Sequence, residues 1–388
     1  MTEAKHGIAR RGVLAAGLAA PAMAAAARAA EPDPIKGMTV VNALGGLNSD
    51  SYVPPAGDPP MSTIVDTRPG MVDDRSIGDH RKAGLSAVVV TVGHVSGPAD
   101  PFEHTVREVG RWQEILRANS ATTLPIRTAA DILRARDERR LGVILCFQNS
   151  LMLGDRADRV DIFHDLGVRQ FQLTYNLATP LGDGSMAPQN RGLTRFGREV
   201  VARLNAKRGM IDLSHSGERI CLDAIAASKA PIVISHTGCR ALAESPRNKT
   251  DAELRGVAEK GGFVGIYFMP FLTPGRQPTG EDVVAHIEHA LKVCGEDHVG
   301  IGTDGGASEV DFEATRKEQA AYVELRRSQG IAATGESADI LFLVPDLSGP
   351  NQYRRLARLL AKRGHPSRRI EKILGGNYVR AAREIWGG

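Results

Sequence analysis

Eight short apolar runs mark the chain, and nearly all are followed by a segment with helical spacing. The runs are Met38–Leu44, Ser86–Val92, Leu141–Phe147, Val168–Thr174, Met210–His215, Pro231–His236, Gly262–Phe268 and His298–Gly302. Runs of this length, bounded by turn residues, predict buried strands. The intervening periodicity predicts helices over Asp73–Ala83, Pro101–Asn119, Asp131–Arg140, Arg159–Leu166, Thr194–Lys207, Glu218–Lys229, Asp251–Lys260 and Gly280–Cys294. Residues 47–62 are rich in Ser, Pro, Gly and Asp and read as a long loop. Residues 305–388 hold a variable segment and terminal helices, with Gly375-Gly376-Asn377 starting or interrupting the last one. Strand, helix, strand repeated eight times predicts an α/β fold, a (β/α)8 TIM barrel.

In such a barrel the chemistry lies on the C-terminal strand ends. The ends here are Leu44/Gly46, His94, Gln148, Tyr175, His215, His236, Tyr267 and Asp304. Two consecutive runs close on Ser-His, at Ser214-His215 and Ser235-His236. Neighbouring parallel strands place those two imidazoles side by side, which is half of a zinc site. A single Ser-His at a strand end is more often structural; the same ending twice favours a shared site. Asp304 is a lone carboxylate that can serve as a general base or hold a substrate ammonium; its bland role is a helix N-cap. Arg247, after Pro246, can grip a carboxylate in bidentate fashion, although an isolated loop arginine is usually at the surface. His94 sits between glycine and serine neighbours as a loop histidine, and Asp73-Asp74 reads as a helix cap.

The absences matter as well. A two-metal hydrolytic barrel supplies His-x-Asp on strand one and a carboxylate that bridges the metals. Strand one here ends Leu44-Gly45-Gly46, and strand three ends in Gln148. A neutral amide is a weak ligand and balances no second dication. One zinc is therefore expected, on His215 and His236, with Gln148 or water completing the shell.

Composition narrows the classes. The apolar fraction of 42% and charged fraction of 24% over 388 residues are those of a soluble globular protein. A net charge of +4, with Lys and Arg scattered, gives no basic stripe for nucleic acid. Cys146, Cys221, Cys239 and Cys294 lie far apart and make neither a zinc knuckle nor a disulfide frame. At the N-terminus, Arg10-Arg11 precedes an Ala-rich run, Gly12–Ala27, and an Ala-x-Ala-like end at Ala27-Arg28-Ala29. Residues 1–30 thus read as a twin-arginine-like export signal, implying a periplasmic or otherwise exported protein with no stable membrane span after cleavage. Residues 31–388 read as one barrel domain with C-terminal helices. The oligomeric state stays open, with a homodimer among the alternatives.

Several motifs carry a resemblance. They are Leu173-Thr174-Tyr175-Asn176, Gly192-Leu193-Thr194-Arg195-Phe196-Gly197, Asp212-Leu213-Ser214-His215, Ile234-Ser235-His236, Pro246-Arg247-Asn248, Gly302-Thr303-Asp304 and Leu374-Gly375-Gly376-Asn377. In this order, from about 140 to 381, the chain resembles the membrane (renal) dipeptidase family of zinc metallopeptidases. The resemblance implies a TIM barrel of the metallo-dependent-hydrolase type that cleaves the amide of a dipeptide or a similar small amide. It implies zinc on His215 and His236, the substrate carboxylate on Arg247, and the substrate amino end at Asp304. The family's His-x-Asp, bridging glutamate and polarising histidine fall at Leu44-Gly45-Gly46, Gln148 and Tyr175, so part of the binuclear site is missing. Tyr175 can donate to a developing oxyanion in place of the histidine. The alternative is an altered or inactive homologue that binds a dipeptide-like ligand or tailors one in the periplasm.

Overall fold

The computed structural model describes residues 1–2, 32–49, 52 and 63–387. The expected export signal, and most of the loop expected over 47–62, lie outside the described residues. All that follows concerns the unit from Pro34 onward.

Eight parallel strands form the sheet. They are β1 (Val41–Gly45), β2 (Ala87–Thr91), β3 (Leu141–Phe147), β4 (Val168–Gln172), β5 (Met210–Asp212), β6 (Val233–Thr237), β7 (Phe263–Ile266) and β8 (Val299–Ile301). They pair in sequence order from β1 to β8. β1 and β8 meet through the side-chain amide of Asn42. Its Oδ1 accepts from the Thr303 backbone N–H (2.8 Å), and its Nδ2 donates to Thr303 Oγ1 (2.8 Å) and the Gly305 carbonyl (3.2 Å). Beyond it, the Asp304 N–H donates to the Leu44 carbonyl at 2.9 Å and Gly45 bridges Gly305. The result is a nearly closed (β/α)8 barrel. A ninth strand of the sheet, Thr123–Pro125, was not evident in the sequence and pairs in parallel with the start of β3; a two-stranded ribbon, Ala178–Thr179 with Gly182–Asp183, follows β4.

The helices fall where the periodicity placed them: α1 (Asp74–Lys82), α2 (Pro101–Ala118), α3 (Ala129–Asp137), α4 (Arg159–Asp165), α5 (Arg195–Lys207), α6 (Glu218–Ala227), α7 (Asp251–Glu259) and α8 (Gly280–Cys294). Asp73 does cap α1: its carboxylate accepts from the Ser76 N–H, and Ser76 answers onto the Asp73 backbone. After the barrel come α9 (Phe312–Ser328), α10 (Gln352–Lys362), α11 (Ser367–Glu371) and α12 (Asn377–Trp386). Gly375 lies in a wide π-turn, Lys372–Gly376, that leads into α12. A Cβ there would meet the Thr39 carbonyl at 2.4 Å, so only glycine lets this turn close on the strand-one side of the barrel. The four cysteines are free and buried. Among the described residues no helix is long and apolar enough to cross a membrane.

Candidate active site

The β5 and β6 ends are organised by one carboxylate. Asp212 is fully buried and accepts five hydrogen bonds. They come from Ser214 N (3.0 Å), Ser214 Oγ (2.6 Å), Ser235 N (3.0 Å), Ser235 Oγ (2.5 Å) and Gln170 Nε2 (3.1 Å). Burial leaves its pKa above the usual carboxylate value, against the hydrogen bonds from the two serines, which lower it. Three of the five partners, the two backbone N–H groups and the Gln170 amide, can only donate, which favours the carboxylate form; the two serine hydroxyls, 3.0 Å from each other, complete the set as its donors. Both serine hydroxyl protons are then committed to it.

That commitment sets the histidine tautomers. Ser235 Oγ lies 2.8 Å from His236 Nδ1. Having donated its proton to Asp212, it can only accept, so His236 carries its proton on Nδ1. The Nε2 lone pair is left buried and without a hydrogen-bond partner. His215 is fixed in the same sense. Its Nδ1 faces Asn176 Oδ1 at 2.7 Å, while Asn176 Nδ2 donates to the Ile331 carbonyl at 2.6 Å, so the amide oxygen is the end that accepts. The ring centroids of His215 and His236 are 5.0 Å apart. Burial, and then the neighbouring Arg247 guanidinium, hold both imidazoles well below the usual histidine pKa. Two neutral rings whose other nitrogens are tied back by hydrogen bonds are what a metal-ligating pair requires.

A cavity of about 160 Å³ opens above this pair, lined among others by Gln148, Tyr175, His215, Arg247, Asp304 and Arg326. All the residues expected to act together, except His236 behind them, thus line one chamber. Asp304 has a left-handed backbone (φ +59°) and caps no helix, since the next begins at Phe312. Burial pushes its pKa up to about 6, against the pull of Arg247 and Arg326. Arg247 is not a surface residue. It is 2% exposed, donates from Nη1 to the Ser214 carbonyl (2.7 Å) and from Nη2 to His215 Nε2 (3.1 Å), and makes no ion pair among the described residues. Its neighbour two residues on, Lys249, is fully buried. It pairs with Glu253 at 3.2 Å and donates to the Ser216 carbonyl, which ties the Arg247 loop to the β5 end. Tyr175 stacks on His215 with centroids 4.0 Å apart, and its hydroxyl accepts from Arg326 Nη1 at 3.1 Å, which leaves its own proton to give.

The remaining strand ends stand apart. His94 is buried with Nε2 at 3.2 Å from the Gly97 carbonyl, and it lines a neighbouring cavity that shares Tyr175 but not Asp304. The buried Tyr267 hydroxyl donates to Asn248 Oδ1 and supports the Arg247 loop. Leu44 contributes its carbonyl to the barrel seam. Sequence reasoning missed Arg326, Tyr322 and Glu336. Arg326 and Tyr322 come from α9, which lies over the mouth; Arg326 is locked by Glu336 at 2.7 and 2.8 Å. Nothing in Leu325-Arg326-Arg327-Ser328 separates a buried arginine from its exposed neighbour. Asp212 was visible inside the Ser-His motif, but its role needs the β5–β6 pairing to be seen.

The donor set can be tested for zinc. Among the described residues no three His, Cys, Asp or Glu side chains gather as a metal-holding group. The two imidazoles alone offer nitrogen lone pairs, and one of these, on His236, is a buried atom with no other partner. Gln148, 8% exposed, faces the same cavity with no hydrogen bond to the protein among the described residues. Two imidazoles and one neutral amide are a sparse donor set, and the lone pair on His215 Nε2 is met by Arg247 at 3.1 Å.

Comparison with known proteins identifies the family and the fold. The sequence profile of membrane dipeptidase (peptidase family M19) matches residues 75–328. A solved structure described as an amidohydrolase from Pseudomonas aeruginosa is 30% identical, with a TM-score of 0.75, covering 92% of this chain and all of that one. The dipeptidase tcpJ of Claviceps purpurea is 27% identical over 285 residues, which is 72% of this chain and 60% of the relative. A metallopeptidase from Rhodobacter sphaeroides, solved with a phosphinate mimic of L-Ala-D-Ala, shares the fold at 20% identity and a TM-score of 0.68, covering 90% of this chain and 99% of that one.

Proposed function

The chain belongs to the membrane dipeptidase family of metallopeptidases, and on that premise we propose that it hydrolyses the amide bond of a dipeptide or similar small amide bearing a free carboxylate. The observation that carries this reading is Arg247, a buried guanidinium with no carboxylate at ion-pair distance among the described residues, Asp304 acting on it only from further off. A buried, unpaired charge is costly unless a ligand completes it. A substrate carboxylate would do so in bidentate fashion. It would also draw the guanidinium away from His215 Nε2, freeing that lone pair.

In this reading His215 and His236 hold one zinc, which when bound acts as a Lewis acid and eases ionisation of water. Asp304, poised near neutrality, takes the proton of the attacking water and delivers it to the leaving amine. The Tyr175 hydroxyl, oriented by Arg326, donates to the carbonyl oxygen as charge develops there. Gln148 offers an amide to the same oxygen or to the ion. The paired arginines at the N-terminus support export in folded form, with the metal loaded beforehand. A second reading, a binding protein for the same ligands, is favoured by one contact. Arg247 already occupies the His215 lone pair that an ion would need.

The test is a screen of dipeptides and N-acyl amino acids against the zinc-equilibrated protein, with Asp304→Asn and Arg247→Met alongside. Hydrolysis is expected in the native protein alone. Ligand binding that depends on Arg247, without turnover, would favour the binding reading. Turnover that survives Asp304→Asn would remove Asp304 from the mechanism.

A further inference from the structure

The reaction chamber is small. Pockets for small molecules span about 300–1,000 Å³, and about 160 Å³ holds little beyond the scissile amide and its carboxylate. A second cavity, of about 270 Å³, adjoins it on the far side of Asp304. Thr303 and Gly305, the two chain neighbours of Asp304, line this second cavity, while Asp304 lines the first. Phe342 lines both. The ring of Phe342 is held at its post by Tyr322 (centroids 5.9 Å apart), Phe271 (6.3 Å) and the Arg326 guanidinium (5.8 Å). Its backbone N–H donates to Gln319 Oε1 of α9 at 3.1 Å. The wall beyond is mostly apolar: Phe268, Val310, Leu343, Val344 and Leu347, with Glu309 exposed at the rim.

Direction follows from the ends of the chamber. With the substrate carboxylate on Arg247, the acyl half of the amide points toward Asp304, and the second cavity is the space that continues that way. We propose that this cavity receives a bulky apolar group on the acyl side of the scissile amide, with Phe342 as the specificity-determining partition between the two spaces. The inference rests on the proposed function. The group is either the side chain of an N-terminal residue such as leucine or phenylalanine, or the hydrocarbon of an N-acyl amino acid. Both present the same apolar surface to the same wall.

Equilibrium binding to the full chain tests this without requiring turnover. The probes are uncleavable ketomethylene analogues of Gly-Ala, Ala-Ala, Leu-Ala and Phe-Ala, and the octanoyl-alanine counterpart. Burying a side chain of that size should tighten binding by roughly 10- to 100-fold over the glycine analogue. Leu343→Trp or Val310→Trp, which fill the cavity, should erase that gain and leave the glycine analogue unchanged; two variants guard against one failing to fold. A gain confined to the octanoyl probe assigns the cavity to an acyl chain, and a gain confined to Leu and Phe assigns it to a side chain. Equal affinities across the series, or a preference that survives both tryptophans, would overturn the inference while leaving the amide site intact. Failure of every probe, glycine included, would overturn the proposed function as well.

Discussion

Asp212 offers the sharpest perturbation, because a single atom exchange should move a proton from one ring nitrogen of His236 to the other, 24 residues along the chain. Asp212→Asn keeps the shape but turns one acceptor into a donor. Oδ1 faces three donors and Oδ2 faces two, so the amide oxygen keeps the first position. The new NH2 then confronts Ser235 Oγ and Gln170 Nε2. Hydrogen bonds to a charged group are worth roughly 1.5–3 kcal/mol, so losing two would cost about 3–6 kcal/mol. Gln170 can turn its amide to recover one, although its Oε1 already accepts from the Tyr378 hydroxyl at 3.1 Å. A net loss of about 2–4 kcal/mol in stability is expected. The chemical consequence is more specific. Ser235 would now accept from the new side-chain amide and donate its own proton to His236 Nδ1, 2.8 Å away, so His236 would hold its proton on Nε2. The lone pair would face away from the cavity, and zinc affinity should fall by at least the roughly 10- to 100-fold typical of lost supporting contacts. Nitrogen-15 NMR of the imidazoles in the metal-free protein reads the tautomer directly, and competition with a chelating dye reads the affinity. A folded variant in which His236 keeps its proton on Nδ1 would refute the reasoning.

Four further outcomes follow from the same geometry. Asp304 must be ionised to accept a proton, so kcat/KM should rise with pH through about 6; a profile flat from about pH 5 to 8 would count against its role. Its raised pKa also means the folded state favours the protonated form, and stability present below about pH 4 is lost as pH climbs through about 6. Asp304→Asn should therefore be up to about 3 kcal/mol more stable than the native chain at about pH 8 and no more stable at about pH 3.5, as measured by urea unfolding. Glu336→Ala leaves Arg326 buried without its bidentate partner and should cost about 3–5 kcal/mol in the same assay, with the tie between α9 and Tyr175 loosened; a loss under about 1 kcal/mol would mean the pair does not anchor α9. Lys249→Met strands the buried Glu253 carboxylate and should cost a similar amount, partly offset because Glu253 still caps α7 through Thr250.

The barrel was legible in the sequence because its signal is local and repeated. Each strand is a short apolar run and each helix has its own periodicity, so element order alone dictates the topology. The Ser-His endings on β5 and β6 were legible for the same reason, as a motif that recurs on adjacent parallel strands. What the sequence could not express were contacts between distant elements. Arg247 reads as a surface arginine until the loop after β6 is seen folded back on the Ser214 carbonyl, 33 residues earlier. Arg326 belongs to an ordinary charged helix, and only packing over the mouth buries it beside Tyr175. The tautomer relay from Asp212 depends on hydroxyl directions that no spacing rule encodes. His94, a strand-end histidine like the others, was separated from the chamber by Tyr175, whose ring stands between the two cavities.

The central claim of the proposed function is that His215 and His236 together hold a single zinc, with no first-strand or bridging carboxylate among the described residues to hold another. Metal content by inductively coupled plasma mass spectrometry, after zinc equilibration and removal of loose ions, tests it most directly. The account predicts close to one zinc per chain in the native protein and none in His236→Ala. Two tightly bound zincs per chain, or one retained in His236→Ala, would contradict it.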